Sequence, residues 1–208
     1  SKKTSFNFFK NILFKKLKPN YIFVSNNFRF GNKREGDVKL LKKFEKKFKY
    51  KVVNPRPLIR KNKIISSSLI RKLLSIGKLD EANECLNRKW SIEGIVQKGR
   101  MMGKKIGFPT CNIDLEDYVI AKPGVYAVKA YRENQKKFLK GIANLGYRPT
   151  FKQKKILLEV NLFNFKGNLY NKKLTVEFIK FIRKEKKFRG IDQLRKQINL
   201  DLKIAKRA

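Results

Sequence analysis

Leu158-Glu159-Val160-Asn161-Leu162 alternates apolar and polar residues without a break. Successive side chains of a β-strand point to opposite faces, so this stretch reads as a strand with Leu158, Val160 and Leu162 turned to a core. Glu159 and Asn161 then share the opposite face. The chain holds 53 Lys and Arg against 16 Asp and Glu, so a lone acid has many cations to pair with. Glu159 is open to two readings at this point: an ion-pair partner for lysines, or a general base if its face opens toward a ligand.

Working outward, similar short segments occupy 92–97, 124–131, 138–145, 156–165 and 174–182, separated by glycines and polar turns. Five or six strands at this spacing predict an antiparallel sandwich or small barrel. Gly190 precedes a helix with Ile191, Leu194, Ile198, Leu202 and Ala205 on one stripe. Before the first strand the pattern differs, and the boundary is expected near 87–89. Phe6, Phe9, Leu13 and Leu17 recur at helical steps until Pro19. Residues 21–24 read as a short buried strand and 26–36 as a loop. Asp37 is placed to cap a helix with Val38, Leu41, Phe44 and Phe48 inward, and a second strand follows near Val52 and Val53. This alternation predicts part of a parallel α/β layer. Ser66-Ser67-Ser68 then opens a helix through Leu69, Ile70, Leu73 and Leu74 to Gly77, with Arg71 one turn in. Free N–H groups at a helix start bind anions, although a plain capped helix fits these residues equally. Leu79, Ala82 and Leu86 mark a second amphipathic turn.

Between the first two strands of the second half lies Gly99-Arg100-Met101-Met102-Gly103-Lys104-Lys105-Ile106-Gly107-Phe108-Pro109-Thr110-Cys111-Asn112. Glycines at four-residue spacing let a backbone turn sharply and approach a ligand. Lys104 and Lys105 add charge, and Thr110 and Asn112 add oxygens for a metal ion or a phosphate. It is not a Walker loop, because Gly-Lys-Ser/Thr is missing. On spacing alone the stretch is either a phosphate loop or an ordinary glycine-rich hairpin.

Composition removes several chemistries. The chain has 208 residues, 41% hydrophobic, a formal charge of +37 and no histidine; Cys85 and Cys111 are its only cysteines. A zinc site, a Cys–His nucleophile and a Ser–His–Asp triad are excluded, apart from variants that need no histidine. No apolar run approaches the ~18–20 residues of a membrane span, and the start lacks a signal peptide's apolar region. A reduced cytoplasmic setting, without a membrane partner, is the expectation. The positive charge is scattered from Lys2 to Lys206, which reads as diffuse surface charge more readily than as a nucleic-acid surface.

Taken together, these motifs resemble the bacterial bifunctional riboflavin kinase/FMN adenylyltransferases (FAD synthetases). Residues 99–112 are similar to that family's Gly-rich loop ending in Pro-Thr-Ala-Asn. Pro123 to Val128 follows, then Gly141-Ile142-Ala143-Asn144-Leu145-Gly146-Tyr147-Arg148-Pro149-Thr150-Phe151, then Leu158 to Leu162 with Leu169-Tyr170, and a tail from Ile182-Arg183 through Glu185 and Phe188 to Gln197-Ile198. The likeness covers nearly all of 86–208. It implies a six-stranded antiparallel barrel with a C-terminal helix that phosphorylates riboflavin to FMN with ATP and Mg²⁺. On this resemblance Glu159 is the base; Gly99, Gly103, Lys104, Gly107, Pro109, Thr110 and Asn112 hold ATP; Thr110 and Asn112 hold the metal; Arg183 and Glu185 lie near the flavin. Departures from the family pattern are Cys111 for Ala, Lys104 for Arg, Asn161 for His and Asn171 for Gly.

The first half resembles the end of that family's FMN adenylyltransferase domain, a partial Rossmann-like nucleotidyltransferase layer. Asn27, Phe28, Phe30, Gly31 and Arg34 match its loop, and Ser66, Ser67, Ser68 and Arg71 its phosphate motif. Its His-x-Gly-His motif cannot be present in a chain without histidine, so the resemblance implies that about half of that domain is missing and its activity with it. The expected architecture is α/β plus β, with 1–86 from the adenylyltransferase and 87–208 the kinase. Riboflavin and ATP are the expected small-molecule partners, with no specific nucleic acid. The rival reading is a basic nucleic-acid-binding module on a kinase-like barrel, and a third is a flavin-binding fragment without turnover.

Overall fold

Packing divides the computed structural model into two compact units, Ser1–Ile65 and Ser66–Ala208. It describes residues 3–99, 101–115, 118–133, 135, 137–149 and 154–208. Arg100, Thr150 and Phe151 of the quoted motifs lie outside the described residues.

In the first unit Thr4 caps helix α1 (Ser5–Phe8) by accepting the Asn7 N–H at 3.2 Å. The chain continues as a π-helix over Phe9–Leu17, closed by a Lys18 N–H that reaches back five residues to the Leu13 carbonyl. The single α-helix expected here is therefore wound more widely beyond its first turn. That rotates the apolar stripe: Phe9 is buried among Phe44, Phe48 and Tyr50, whereas Leu17 is 64% exposed. Strand β1 (Tyr21–Phe23) pairs in parallel with β2 (Lys51–Val53), and between them runs α2 (Val38–Phe48), capped by Asp37 Oδ1 at 2.9 Å from the Leu40 N–H. Leu41 is fully buried at its centre. The parallel layer is present, but the expectation that 21–24 is a buried strand is corrected. Ile22 and Val24 turn inward, while Tyr21 and Phe23 stand 60% and 72% exposed, because alternation gives a two-stranded sheet a second face. A hairpin of β3 (Ile59–Arg60) and β4 (Lys63–Ile64) turns through Lys61 and Asn62, both left-handed.

The second unit opens with α3 (Ser67–Ile76). Ser66 Oγ accepts the Leu69 N–H at 3.2 Å, and Gly77, at φ +82°, ends the helix. Helix α4 (Leu79–Leu86) follows. Both contribute to the core of a closed barrel: Leu73, Leu74, Leu79 and Ala82 cluster with Trp90, Ile92, Leu174 and Phe178. The barrel comprises β5 (Ser91–Gln97), β6 (Cys111–Asp114), β7 (Gly124–Arg132), β8 (Phe138–Pro149), β9 (Lys154–Leu162) and β10 (Lys173–Arg183), in the order β10-β5-β6-β9-β8-β7. A one-turn helix, α5 (Met102–Lys105), lies between β5 and β6. All five expected strands are present, and the sixth is β6, the tail of the glycine-rich stretch. Helix α6 (Ile191–Arg207) covers part of the outside, with Ala205 and Leu202 against Val125, Ala127 and Ile142. By sequence the boundary falls at 86/87; by packing it falls at 65/66, because α3 and α4 bury their apolar faces with the barrel.

Candidate active site on the outer face of the barrel

Leu158 and Val160 are buried in the barrel, which turns Glu159 and Asn161 outward. The register then assembles a row that passes from strand to strand: Asn112 of β6 opposite Glu159, Glu159 opposite Asn144 of β8, Asn144 opposite Val125 of β7, and Val125 opposite Arg183 of β10. Directly paired residues share a face, so polar groups distant in sequence meet on one surface. The sequence pattern around Asn144 carries no sign of this role, because its register with Glu159 is a long-range property.

The glycine-rich segment closes over one end of this row. Met101 is left-handed, α5 makes its single turn, and the Phe108 N–H bonds the Gly103 carbonyl at 2.8 Å. A Cβ on Gly99 would overlap the Asn112 amide, and one on Gly103 would overlap the Phe108 carbonyl while pressing on Thr110 Oγ1. Gly107, at φ +89°, faces open space and is needed for its conformation alone. Asn112 is 6% exposed, and its Oδ1 has no hydrogen-bond partner among the described residues. A buried unpaired acceptor is costly, so an external donor or cation is favoured there. Among the described residues no group of three His, Cys, Asp or Glu is placed to hold a metal ion. A cation at Thr110 and Asn112 would therefore draw remaining ligands from elsewhere, as a hard ion bound through phosphate and water does.

Two cavities meet at Thr110. The larger, about 390 Å³, is walled by Ile106, Phe108, Val125, Ile142, Phe188, Ile191, Leu194 and Ile198, with Thr110, Asn144, Glu159, Asn161, Arg183, Glu185, Lys186 and Asp201 among its polar groups. The inner half of the α6 stripe thus faces a cavity. The second, about 290 Å³, lies between Lys104, Pro109, Thr110 and Cys111 on one side and Phe165, Leu169 and Tyr170 on the other. Burial pushes the Cys111 thiol up to about 11, so it is neutral at physiological pH.

Arg183 borders the larger cavity, but its guanidinium is occupied. Nε bonds both Asp201 oxygens at 3.0 and 2.9 Å, Nη2 meets Oδ2 at 2.7 Å, and Nη1 holds the Lys184 carbonyl at 2.9 Å. Asp201, only 2% exposed, also accepts from Gln197 Nε2 at 2.9 Å. Asp201 escaped the sequence reading, although an acid three residues after Ile198 and four before Ala205 sits within the apolar stripe and signals a buried partner. Glu185 is exposed, 3.5 Å from Asn144 Nδ2.

The adenylyltransferase-like residues fall in both units. Phe28 stacks on Phe30 at 5.6 Å, Gly31 lies against the Ser5 backbone at φ +81°, and Asn27 and Arg34 are exposed. In the second unit Ser66 caps α3, and Ser67, Ser68 and Arg71 are exposed.

The result is a closed antiparallel barrel with a C-terminal helix, in which Glu159 and Gly103 of the glycine-rich loop border one cavity. The riboflavin kinase family model matches residues 86–208, more than half of the sequence, and the chain belongs to that family. The FAD synthetase family model matches residues 1–69. The bifunctional riboflavin kinase/FMN adenylyltransferase of Buchnera aphidicola subsp. Schizaphis graminum is 43% identical over 203 residues, 96% of this chain and 65% of that protein. Its counterpart in Escherichia coli K12 is 35% identical over 198 residues, 95% of this chain and 63% of the relative. The chain therefore spans less than two thirds of either relative. A crystal structure from Streptococcus pneumoniae, titled a macrolide-efflux protein, superposes with a TM-score of 0.79 at 28% identity, covering 98% of this chain and 65% of that one.

Proposed function

We propose that the chain is a riboflavin kinase, transferring the γ-phosphoryl group of ATP to the ribityl 5′-hydroxyl of riboflavin. The observation that carries this reading is Glu159 set in register with Asn112 beside Thr110, the residue common to two cavities. The larger, mostly apolar cavity takes the flavin and the smaller takes the nucleotide. Thr110 and Asn112 would hold Mg²⁺, which when bound neutralises charge on the phosphate oxygens. Glu159 accepts the hydroxyl proton as the oxygen–phosphorus bond forms and the bond to the ADP oxygen breaks. Lys104 adds positive charge at the nucleotide side. Phosphoryl transfer is mainly positioning and charge stabilisation, so one carboxylate and a clamped loop are adequate machinery without histidine. Two free thiols fit a reducing compartment, and we place the protein in the cytoplasm.

We further propose that these 208 residues do not convert FMN to FAD, since they contain no histidine for a His-x-Gly-His motif. Incubation with riboflavin and Mg-ATP, followed by chromatography, tests both points. FMN without FAD is expected, and EDTA abolishes FMN formation. No FMN would overturn the kinase reading; FAD formed from FMN would overturn the second.

A further inference from the structure

Asn161 Nδ2 donates to the Pro109 carbonyl at 2.6 Å, joining β9 to the segment that leads into Thr110 across 52 positions of sequence. The bond lies where the backbone ladder ends. Strands β6 and β9 pair Asn112 with Glu159 and Cys111 with Val160, and the ladder stops there. One step further the same register would set Thr110 opposite Asn161. Pro109, next along, has no N–H to extend a ladder. The Asn161 amide donates to the Pro109 carbonyl just beyond the end of the ladder, on the same face as Glu159 and two residues from it.

We infer that Asn161 is a positioning residue for Thr110, and that it fixes the nucleotide loop to the strand carrying the base. Thr110 is held on its C-terminal side by the β6 ladder and on its N-terminal side by this bond, with the Phe108 N–H to Gly103 carbonyl bond two residues before it. Releasing Pro109 frees the N-terminal side of Thr110 from β9, leaving the hydrogen bonds within 103–108 and the tight contacts at Gly99 and Gly103. Asn161 also borders the larger cavity, yet its amide is committed to the loop. Its loss is therefore expected first at Thr110 and the nucleotide side, and more weakly in flavin binding, because Ile106 and Phe108 of the same loop wall the larger cavity. The kinetic part of this inference rests on the kinase reading above; the structural part does not.

The experiment compares wild type, Asn161→Ala and Asn161→His. Amide hydrogen exchange without ligands comes first: in Asn161→Ala, exchange across 103–111 speeds up while 124–132 and 174–182 are unchanged. Kinetics come second. One lost hydrogen bond corresponds to about a tenfold fall in kcat/KM for Mg-ATP, with a smaller change in the KM and fluorescence-quench Kd for riboflavin. An imidazole Nδ1–H can take the place of the amide donor, so Asn161→His recovers protection and most of the Mg-ATP term. Unchanged exchange in Asn161→Ala overturns the inference, as does a fall shared equally by both substrates, or a histidine variant no better than alanine. Wild type without FMN formation sinks the kinase reading alone, because the exchange comparison still decides the anchor.

Discussion

Glu159 and Tyr50 are residues whose replacement should be read by different instruments. Glu159→Gln keeps the shape of the strand and removes the proton acceptor, so kcat for FMN formation is expected to fall about 10²–10⁴-fold. The thermal midpoint should stay close to wild type; wild-type turnover in this variant would exclude Glu159 as the base. Tyr50 donates its hydroxyl to the Leu41 carbonyl and is pushed up to about 12, by burial first and the nearby Glu45 charge second. Unfolded, the phenol loses its proton near its ordinary value of ~10. Between pH 10 and 12 the unfolded state therefore holds fewer protons than the folded one, and stability falls as pH rises. Wild type should lose stability relative to Tyr50→Phe across that window and not below it, as seen by urea unfolding at fixed pH. At this scale the sequence reveals Glu159, because alternation alone sends it outward. It does not reveal the bond of Asn161 to Pro109 or that of Arg183 to Asp201, which depend on strand register and helix docking.

Helix α6 shows how an element is held. Its apolar contacts with the barrel are few, and Asp201 receives Arg183 and Gln197 in a nearly dry setting. The Arg183 side chain is 15% exposed, so Asp201→Ala leaves a largely buried cation unpaired, which costs about 3–5 kcal/mol. The double variant Arg183→Met with Asp201→Leu removes both charges and should recover a substantial part of that loss. A chemical-denaturation series over the two single variants and the double measures this, and an additive double variant would deny the pairing. Strands and helices with long periodic patterns were legible from sequence. β6 was not seen as a strand, because four residues continuing a glycine-rich loop offer too little alternation to separate strand from loop. The β3–β4 hairpin was missed for a similar reason: its turn is Lys61-Asn62, without a glycine to mark it. The π-helical winding of 9–17 leaves no trace in a pattern that fits an α-helix equally well.

At the scale of the whole molecule, likeness and packing draw different lines. Sequence motifs place the kinase at 87–208, because motifs record the residues around the site. Packing places the unit at 66–208, because it records where apolar surface is buried. Leu73, Leu74, Leu79 and Ala82, all buried, belong to the cluster that contains Trp90, Ile92 and Phe178. Losing one buried leucine costs about 2–5 kcal/mol, and a domain's whole stability is about 5–15 kcal/mol. Removing 66–86 strips three buried leucines and an alanine together and leaves their partners bare, a loss on the order of the barrel's whole stability. Fragment 66–208 should therefore be soluble, unfold cooperatively and form FMN at a rate comparable to the 208-residue chain. Fragment 87–208 should bind a hydrophobic dye and aggregate, despite holding every residue assigned to the kinase site. Calorimetry and an FMN assay on the two fragments decide the matter, and a stable, active 87–208 would show that α3 and α4 are dispensable to the barrel.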